Sequence, residues 1–302
     1  MGGEEETAPL EETLPDGEFK VHEVPAHHAI VAEGDLREGP RRRLVEPSDE
    51  NVIECREVEV KFGSFTVFKN LNLDVRRGEI LGFVGGSGQG KSVLMRTILD
   101  LVPKASGTIR LFDQDVDKLT PVQRSLLNRR YGVLFQMGAL FSSLTVKENI
   151  QVPMKEQGAK MSQKLMDELA LMKIDMVGLA RNAADKLPSE LSGGMIKRAG
   201  LARALALDPE ILFVDEPTSG LDPIGAANFD DLIARLRDTL GLTVYMVTHD
   251  LDSLWNVCDR VAVLADKRVI VNGPVQDLVD YDHPWVQEYF RGVRGGRFVD
   301  EK

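Results

Sequence analysis

Cysteine is nearly absent from this chain. Two are present among 302 residues, Cys55 and Cys258. So few, so far apart, cannot build a disulfide-stapled domain, and their spacing suits no metal site. They read as reduced core thiols. Long apolar runs are also missing. No window comes near the 18 consecutive apolar residues of a membrane span, so no spanning helix is expected. The N-terminus has no apolar leader region, which argues against a secretory signal. MGGEEE places Glu6 where an N-myristoylation pattern needs Ser or Thr. Basic excess is absent too. The net charge is −11, and residues 1–50 carry 14 Asp and Glu against 5 Lys and Arg. The rest of the chain is nearly neutral, and nothing points to nucleic acid, which asks for a basic face.

What is present is an ordinary globular composition, 43% hydrophobic and 28% charged, in a chain long enough for a sizeable core. Residues 1–50 are acidic and aperiodic and read as a disordered tail. His22, His27 and His28 sit there and read as solvated. From Asn51 the pattern changes. VEVKF alternates, meets Gly63, and VFKNLNLDV alternates again, which predicts two antiparallel strands. EILGFV is a continuous apolar run, as a strand buried on both faces requires. SVLMRTILDLV predicts a helix. TPVQRSLLNRR predicts another, with Thr120 as N-cap and Pro121 in its first position. YGVLFQ, EILFVDE and LTVYMVTH predict further strands. Residues 145–187 carry helical spacing, and helices are expected over 223–239 and 250–258. RVAVLADKRVIVNG reads as a hairpin turning at 266–268. Strands alternating with helices predict an α/β fold with a mainly parallel sheet.

Four motifs carry chemistry. Gly85-x4-Gly90-Lys91-Ser92 is a P-loop: its glycines let backbone N–H groups curl around phosphates, Lys91 reaches the β and γ oxygens, and the Ser92 hydroxyl suits Mg²⁺. Gly86, Ser87, Gly88 and Gln89 within the loop, and Val93 after it, complete the phosphate-binding set. Asp215 and Glu216 emerge at the carboxyl end of ILFV, the edge where ligands bind in such sheets. Asp215 suits Mg²⁺ and Glu216 is a candidate general base for an attacking water. Gln136 and His249 each follow an apolar strand. Gln136 could reach metal and water, and His249 the γ-phosphate, or either could be structural. Finally, Ser192, Gly193 and Gly194 open a helical run, which makes a second anion site.

GGSGQGKS, Gln136, LSGGM, ILFVDE, SGLD and His249, in that order, resemble the nucleotide-binding subunit of ABC transporters across residues 51–290. The resemblance implies a P-loop NTPase core with an antiparallel β subdomain and a helical insertion at about 137–200, followed by a C-terminal extension, 291–302. It implies ATP hydrolysis with Mg²⁺ held at Ser92, Gln136 and Asp215. Phe62, 23 residues before Gly85, would stack on adenine. Ser219 to Asp222 would form the D-loop, with Asp222 in the nucleotide site. Two copies would close two ATPs head to tail, each on one copy's P-loop and under the other's Ser192, Gly193 and Gly194.

GALF after Gln136, and Met195 in place of the usual Gln, resemble the Mla-type phospholipid transporter ATPases. That branch implies a separate integral permease, an MCE-type lipid-binding protein, a STAS-like subunit, and a cytoplasmic position peripheral to the inner membrane. Met137, Leu140 and Phe141 would line the permease groove or belong to the core. HPWVQEYFRGVRGGRF would grip a neighbouring subunit or be a frayed terminal helix. A polar-solute importer and a non-transport ABC ATPase are the alternatives.

Overall fold

Alternation draws the first two strands. β1 (Asn51–Phe62) and β2 (Phe65–Arg76) pair antiparallel, with Phe62 opposite Phe65 across the turn at Gly63. Their inward residues, among them Ile53, Cys55, Val58, Phe68 and Leu71, are fully buried. The computed structural model describes residues 47–156 and 161–292. Residues 1–46 of the expected tail, with its three histidines, and 293–302 of the C-terminal extension lie outside the described residues. At the tail's end Glu50 pairs with Arg77 at 2.8 Å, so the folded part of the chain begins before Asn51.

The chain continues through β3 (Ile80–Gly85), α1 (Lys91–Ile98), β4 (Ser106–Leu111), β5 (Gln114–Asp115), α2 (Pro121–Asn128) and β6 (Tyr131–Leu134). Then come α3 (Val146–Glu156), α4 (Gln163–Met176), α5 (Gly193–Ala204), β7 (Ile211–Asp215), α6 (Pro223–Leu240), β8 (Thr243–Val247) and α7 (Leu251–Asn256). The described part closes with β9 (Arg260–Ala265), β10 (Arg268–Gly273), α8 (Val275–Leu278) and α9 (Pro284–Arg291).

Two sheets result. The smaller is antiparallel in the order β2-β1-β4-β5. The larger runs β10-β9-β3-β8-β7-β6, with parallel pairing from β9 to β6 and β10 added as a hairpin. The hairpin turns where expected: Asp266 and Lys267 both have positive φ, 48° and 63°, the geometry that matches the twist of the flanking strands. β3, β7 and β8 are buried at every residue. The apolar runs of the sequence therefore report burial on two faces.

Each face has its own core. One packs β1, β2 and α1 against Phe83, Phe213 and Tyr245. The other packs the helical insertion and α6 against Leu212, Val214 and Met246. In that insertion Val146, Ile150 and Met154 of α3 recur every fourth residue, as do Met166, Ala170 and Ile174 of α4, and all six are buried. A helix shows one face at that spacing. The α2 start is as read: Thr120 and Gln123 form a reciprocal capping box with Pro121 at the first position.

β4 was not legible. SGTIRL is short and has glycine as its second residue. Gly107 has φ +90, and a Cβ there would lie 2.5 Å from the Glu57 carbonyl oxygen. Glu57 itself has φ 49 at a register shift of β1. The glycine is thus required by a bulge in the neighbouring strand, a contact 50 residues away in the chain. The C-terminal segment is not frayed over its described part. α9 buries Val286 and Phe290 completely.

Candidate functional site

The strand order builds the site. β3, β8, β7 and β6 lie side by side and parallel, so their carboxyl ends share one edge. The P-loop leaves β3, His249 follows β8, Asp215 and Glu216 end β7, and Gln136 follows β6. Adjacent strands are about 4.8 Å apart, so residues scattered over more than 160 positions become neighbours. Sequence placed each of them after an apolar strand. Only the order of strands shows that they sit in one row.

The loop leading into α1 needs its glycines. Gly90 is the N-cap of α1 with φ +101, and a Cβ there would lie 2.6 Å from Val67 Cγ1 and 2.9 Å from Phe68. The antiparallel sheet therefore rests directly on the phosphate loop. Phe62, at the end of β1, is 52% exposed at the hairpin end of that sheet. A Cβ on Gly85 would lie 2.6 Å from the Leu264 carbonyl oxygen. Lys91 Nζ donates to the carbonyls of Gly85 at 2.9 Å and Gly86 at 3.3 Å, inside the loop. Its burial pushes its pKa below the ordinary lysine value, against the charges of Glu216 and Asp215. The Gln89 side chain folds over Gly86, with its Oε1 buried and without a hydrogen-bond partner among the described residues. Ser87 and Gly88 are exposed. Val93 turns its side chain toward the core, so only its backbone faces the loop.

Ser92 Oγ donates to Asp215 Oδ1 at 3.0 Å. This places a hydroxyl and a carboxylate oxygen together, the hard oxygen donors that Mg²⁺ takes alongside phosphates. Asp215 is only 5% exposed. Burial raises its pKa, the Ser92 hydrogen bond lowers it, and the Glu216 charge raises it again. A carboxyl raised in the folded state costs stability in its charged form. That cost is absent in acid and grows as pH rises through the raised value. Asp215→Asn is therefore expected to melt higher than the parent at neutral pH without nucleotide, with the gain fading in acid. Thermal melts across the acid-to-neutral range check this. An Asn variant less stable than the parent at neutral pH would contradict it.

Glu216 departs from the strand. It is a non-glycine residue with φ 48, and its N–H still donates to Val247 O at 2.8 Å. Left-handed backbone costs roughly 1–2 kcal/mol. It swings the carboxylate to His249, whose Nδ1 lies 2.6 Å from Glu216 Oε2. The imidazole is 69% exposed on its other side. Gln136 is exposed and donates from Nε2 to Ser219 Oγ at 3.3 Å. Across the edge this is a binding loop, a metal-type oxygen pair, a carboxylate held by a histidine, and an amide.

α5 supplies the second anion site. Ser192 is its N-cap, accepting from the Met195 N–H at 3.3 Å. Nothing lies within 4 Å of a Cβ placed on Gly193, so this helix start is open. Asp222 caps α6, accepting from the Gly225 N–H at 2.9 Å. Its place in the chain thus has a structural reason beside the one the motif suggested. Leu221 of the same turn packs beside Gly194.

Residues 68–219, half of the chain, match the ABC transporter family. The chain is an ATP-binding protein of the ABC transporter family. It is 37% identical over 248 residues to the intermembrane phospholipid transport system ATP-binding protein MlaF of Haemophilus influenzae, covering 82% of this chain and 93% of that protein. It is 36% identical over 244 residues to the probable ribonucleotide transport ATP-binding protein mkl of Mycobacterium leprae, covering 81% and 70%. Among solved structures it resembles a dimeric ATP-binding cassette in a post-hydrolysis state bound to ADP and Pi. There the TM-score is 0.67 and the identity 29%, over 74% of this chain and 98% of that one. The α/β P-loop NTPase fold read from sequence is the fold of the ABC cassettes.

Two residues of the cassette escaped the sequence reading. Lys197 of α5 is 7% exposed. Its Nζ donates to the carbonyls of Gln136 at 3.2 Å and Glu216 at 3.1 Å. It thereby holds the strained Glu216 peptide and ties two of the strand ends to α5. Burial lowers its pKa, opposed by the Glu216 charge. Arg203 donates to the carbonyls of Ala139 at 2.7 Å and Gly138 at 3.0 Å. A signal existed: Lys197 shares a helical face with Gly200 and Leu201, both buried, where small and apolar residues mark burial. Of the three apolar residues after Gln136, Leu140 is half-buried against the core, while Met137 is 82% exposed and Phe141 is exposed. The core reading fails for Met137 and Phe141. Among the described residues no helix is long and apolar enough to cross a membrane.

Proposed function

We propose that the chain hydrolyses ATP as a dimer and that this drives phospholipid movement through a separate integral permease. The observation that carries the cargo is the 37% identity along 93% of a relative named for intermembrane phospholipid transport. The GALF and LSGGM stretches support the same branch. The family unit is assigned to residues 51–290, with its helical subdomain at about 137–200. The chain then works peripherally on the cytoplasmic side of the inner membrane. MCE-type and STAS-like proteins are its further partners.

In this reading Phe62 stacks on the adenine and Lys91 neutralises phosphate charge. Backbone N–H groups of Gly86, Ser87, Gly88, Gln89, Gly90 and Val93 line the phosphate path. Ser92, Asp215 and Gln136 would hold Mg²⁺, which would supply charge neutralisation for phosphoryl transfer. Glu216 orients and deprotonates the attacking water. His249 fixes the Glu216 carboxylate and faces the γ-phosphate. Ser192, Gly193 and Gly194 of the second copy close the site, so negative phosphates bridge two helix N-termini. The Asp222 turn lies beside that junction. Hydrolysis removes the bridge and the dimer opens, a two-state element biased by the γ-phosphate. The exposed Met137 and Phe141 offer the permease an apolar contact next to Gln136.

Gentle solubilisation of membranes carrying tagged full-length chain tests the cargo. A multi-span permease with an MCE-type protein and bound phospholipid is the expected recovery. A permease with a soluble solute-binding protein would move the reading to a polar solute, such as the ribonucleotide of the mycobacterial relative's name. Recovery without any membrane protein would overturn transport itself.

A further inference from the structure

The segment HPWVQEYFRG follows every motif that the cassette reading used. It forms α9, with Pro284 in the first helical position. Val286 and Phe290, four apart, are fully buried among Val84, Leu251, Leu254 and Val261. The ends are pinned as well. His283 Nε2 lies 3.5 Å from Asp266 Oδ2 at the β9–β10 turn. Arg291 Nε donates to Val279 O at 3.1 Å, and its guanidinium pairs with Asp280.

One side chain of this anchored helix reaches the site. Tyr289 stacks on Trp285 with ring centroids 4.8 Å apart and planes 13° apart. Its hydroxyl donates to the backbone carbonyl of His249 at 3.0 Å. Burial, and the charges of Asp250 and Glu216, raise the phenol pKa, so the hydroxyl remains a donor. The next N–H along, that of Asp250, donates to Thr248 Oγ1 at 3.0 Å. These are the two polar groups of a single peptide unit, the one joining His249 to Asp250. Thr248, just past the end of β8, holds its N–H, and Tyr289 of α9 holds its C=O. A peptide gripped on both sides cannot rotate, and its plane sets the direction in which the His249 side chain leaves the backbone. The imidazole is otherwise exposed and meets Glu216 through Nδ1.

We propose that Tyr289 is a positioning residue for His249, and that α9 braces the histidine loop through this one hydroxyl. The inference rests on the reading of the site as an ATP hydrolase. Tyr289→Phe keeps the ring and its stacking and removes only the donor. Steady-state ATP hydrolysis by the full-length chain is measured for the parent, Tyr289→Phe, His249→Ala and the double variant, with Glu216→Gln as control. The expected result is a kcat lowered roughly three- to tenfold by Tyr289→Phe, the kinetic equivalent of one neutral hydrogen bond. KM for ATP and melting temperature stay near the parent values. In the His249→Ala background the same change has no further effect, because the group it positions is gone. Unchanged kcat in Tyr289→Phe, or an equal loss in both backgrounds, would overturn the proposal. A parent that turns over no faster than Glu216→Gln would instead remove the hydrolase reading.

Discussion

Glu216→Gln is expected to bind ATP and to hydrolyse it about 10²- to 10⁴-fold more slowly, the usual loss when a general base is removed. The side chain is isosteric. Its amide keeps a hydrogen bond with His249 Nδ1, which lies 2.6 Å from Glu216 Oε2 in the parent. The backbone that holds the position is untouched, since the Glu216 N–H and C=O bond to Val247 and Lys197. Lys91, Ser92 and Asp215 remain. Binding therefore persists while the proton acceptor is lost, and ATP accumulates in the closed pair of subunits. Light scattering with ATP should report a dimer where the parent cycles. A variant that stays monomeric with ATP bound would refute the assignment of Glu216, and parent-like turnover would refute it more directly.

Ser192→Arg is expected to abolish turnover while nucleotide affinity of the single subunit stays within about twofold of the parent. Ser192 is exposed at the start of α5, where nothing among the described residues lies within 4 Å of a Cβ placed on the neighbouring Gly193, so a long cation there extends outward. It obstructs the approach of a second copy's nucleotide. Within the chain the change removes one N-cap, worth about 0.5–2 kcal/mol, and Ser192→Ala measures that part alone. Mixing decides the matter. Subunits carrying Ser192→Arg keep an intact P-loop, and subunits carrying Lys91→Ala keep an intact helix start. Together they rebuild one complete site, so each is inactive alone and the mixture recovers activity. Loss of nucleotide by the Ser192→Arg subunit itself, or no recovery on mixing, would sink the shared site.

Much of this was legible along the chain because the signals are local. A P-loop must carry its glycines in order, since Gly90 at φ +101 admits no side chain against Val67. A two-face-buried strand is nearly apolar throughout: ILFV is, and TVYMV departs only by the hydroxyls of Thr243 and Tyr245. Thr120 caps α2 through residues three positions away. The C-terminal segment was different. HPWVQEYFRG admitted both a frayed helix and a grip on a neighbour, because nothing in ten residues says what Val286 and Phe290 will meet.

Local signals along the chain specify the phosphate loop, most of the helices and strands, and the residues that end the parallel strands. Those follow from covalent neighbours: dihedral freedom, capping and hydrophobic period act over a few positions. Which strand ends adjoin follows from the order of strands in the sheet. The tertiary structure set the Lys197 ammonium on the carbonyls of Gln136 and Glu216, fitted Gly107 to the bulge at Glu57, and brought the Tyr289 hydroxyl to His249. These contacts join residues from 19 to 61 positions apart. No local propensity encodes them, because they exist only after the apolar faces have closed and the remaining polar groups must find partners in the space left.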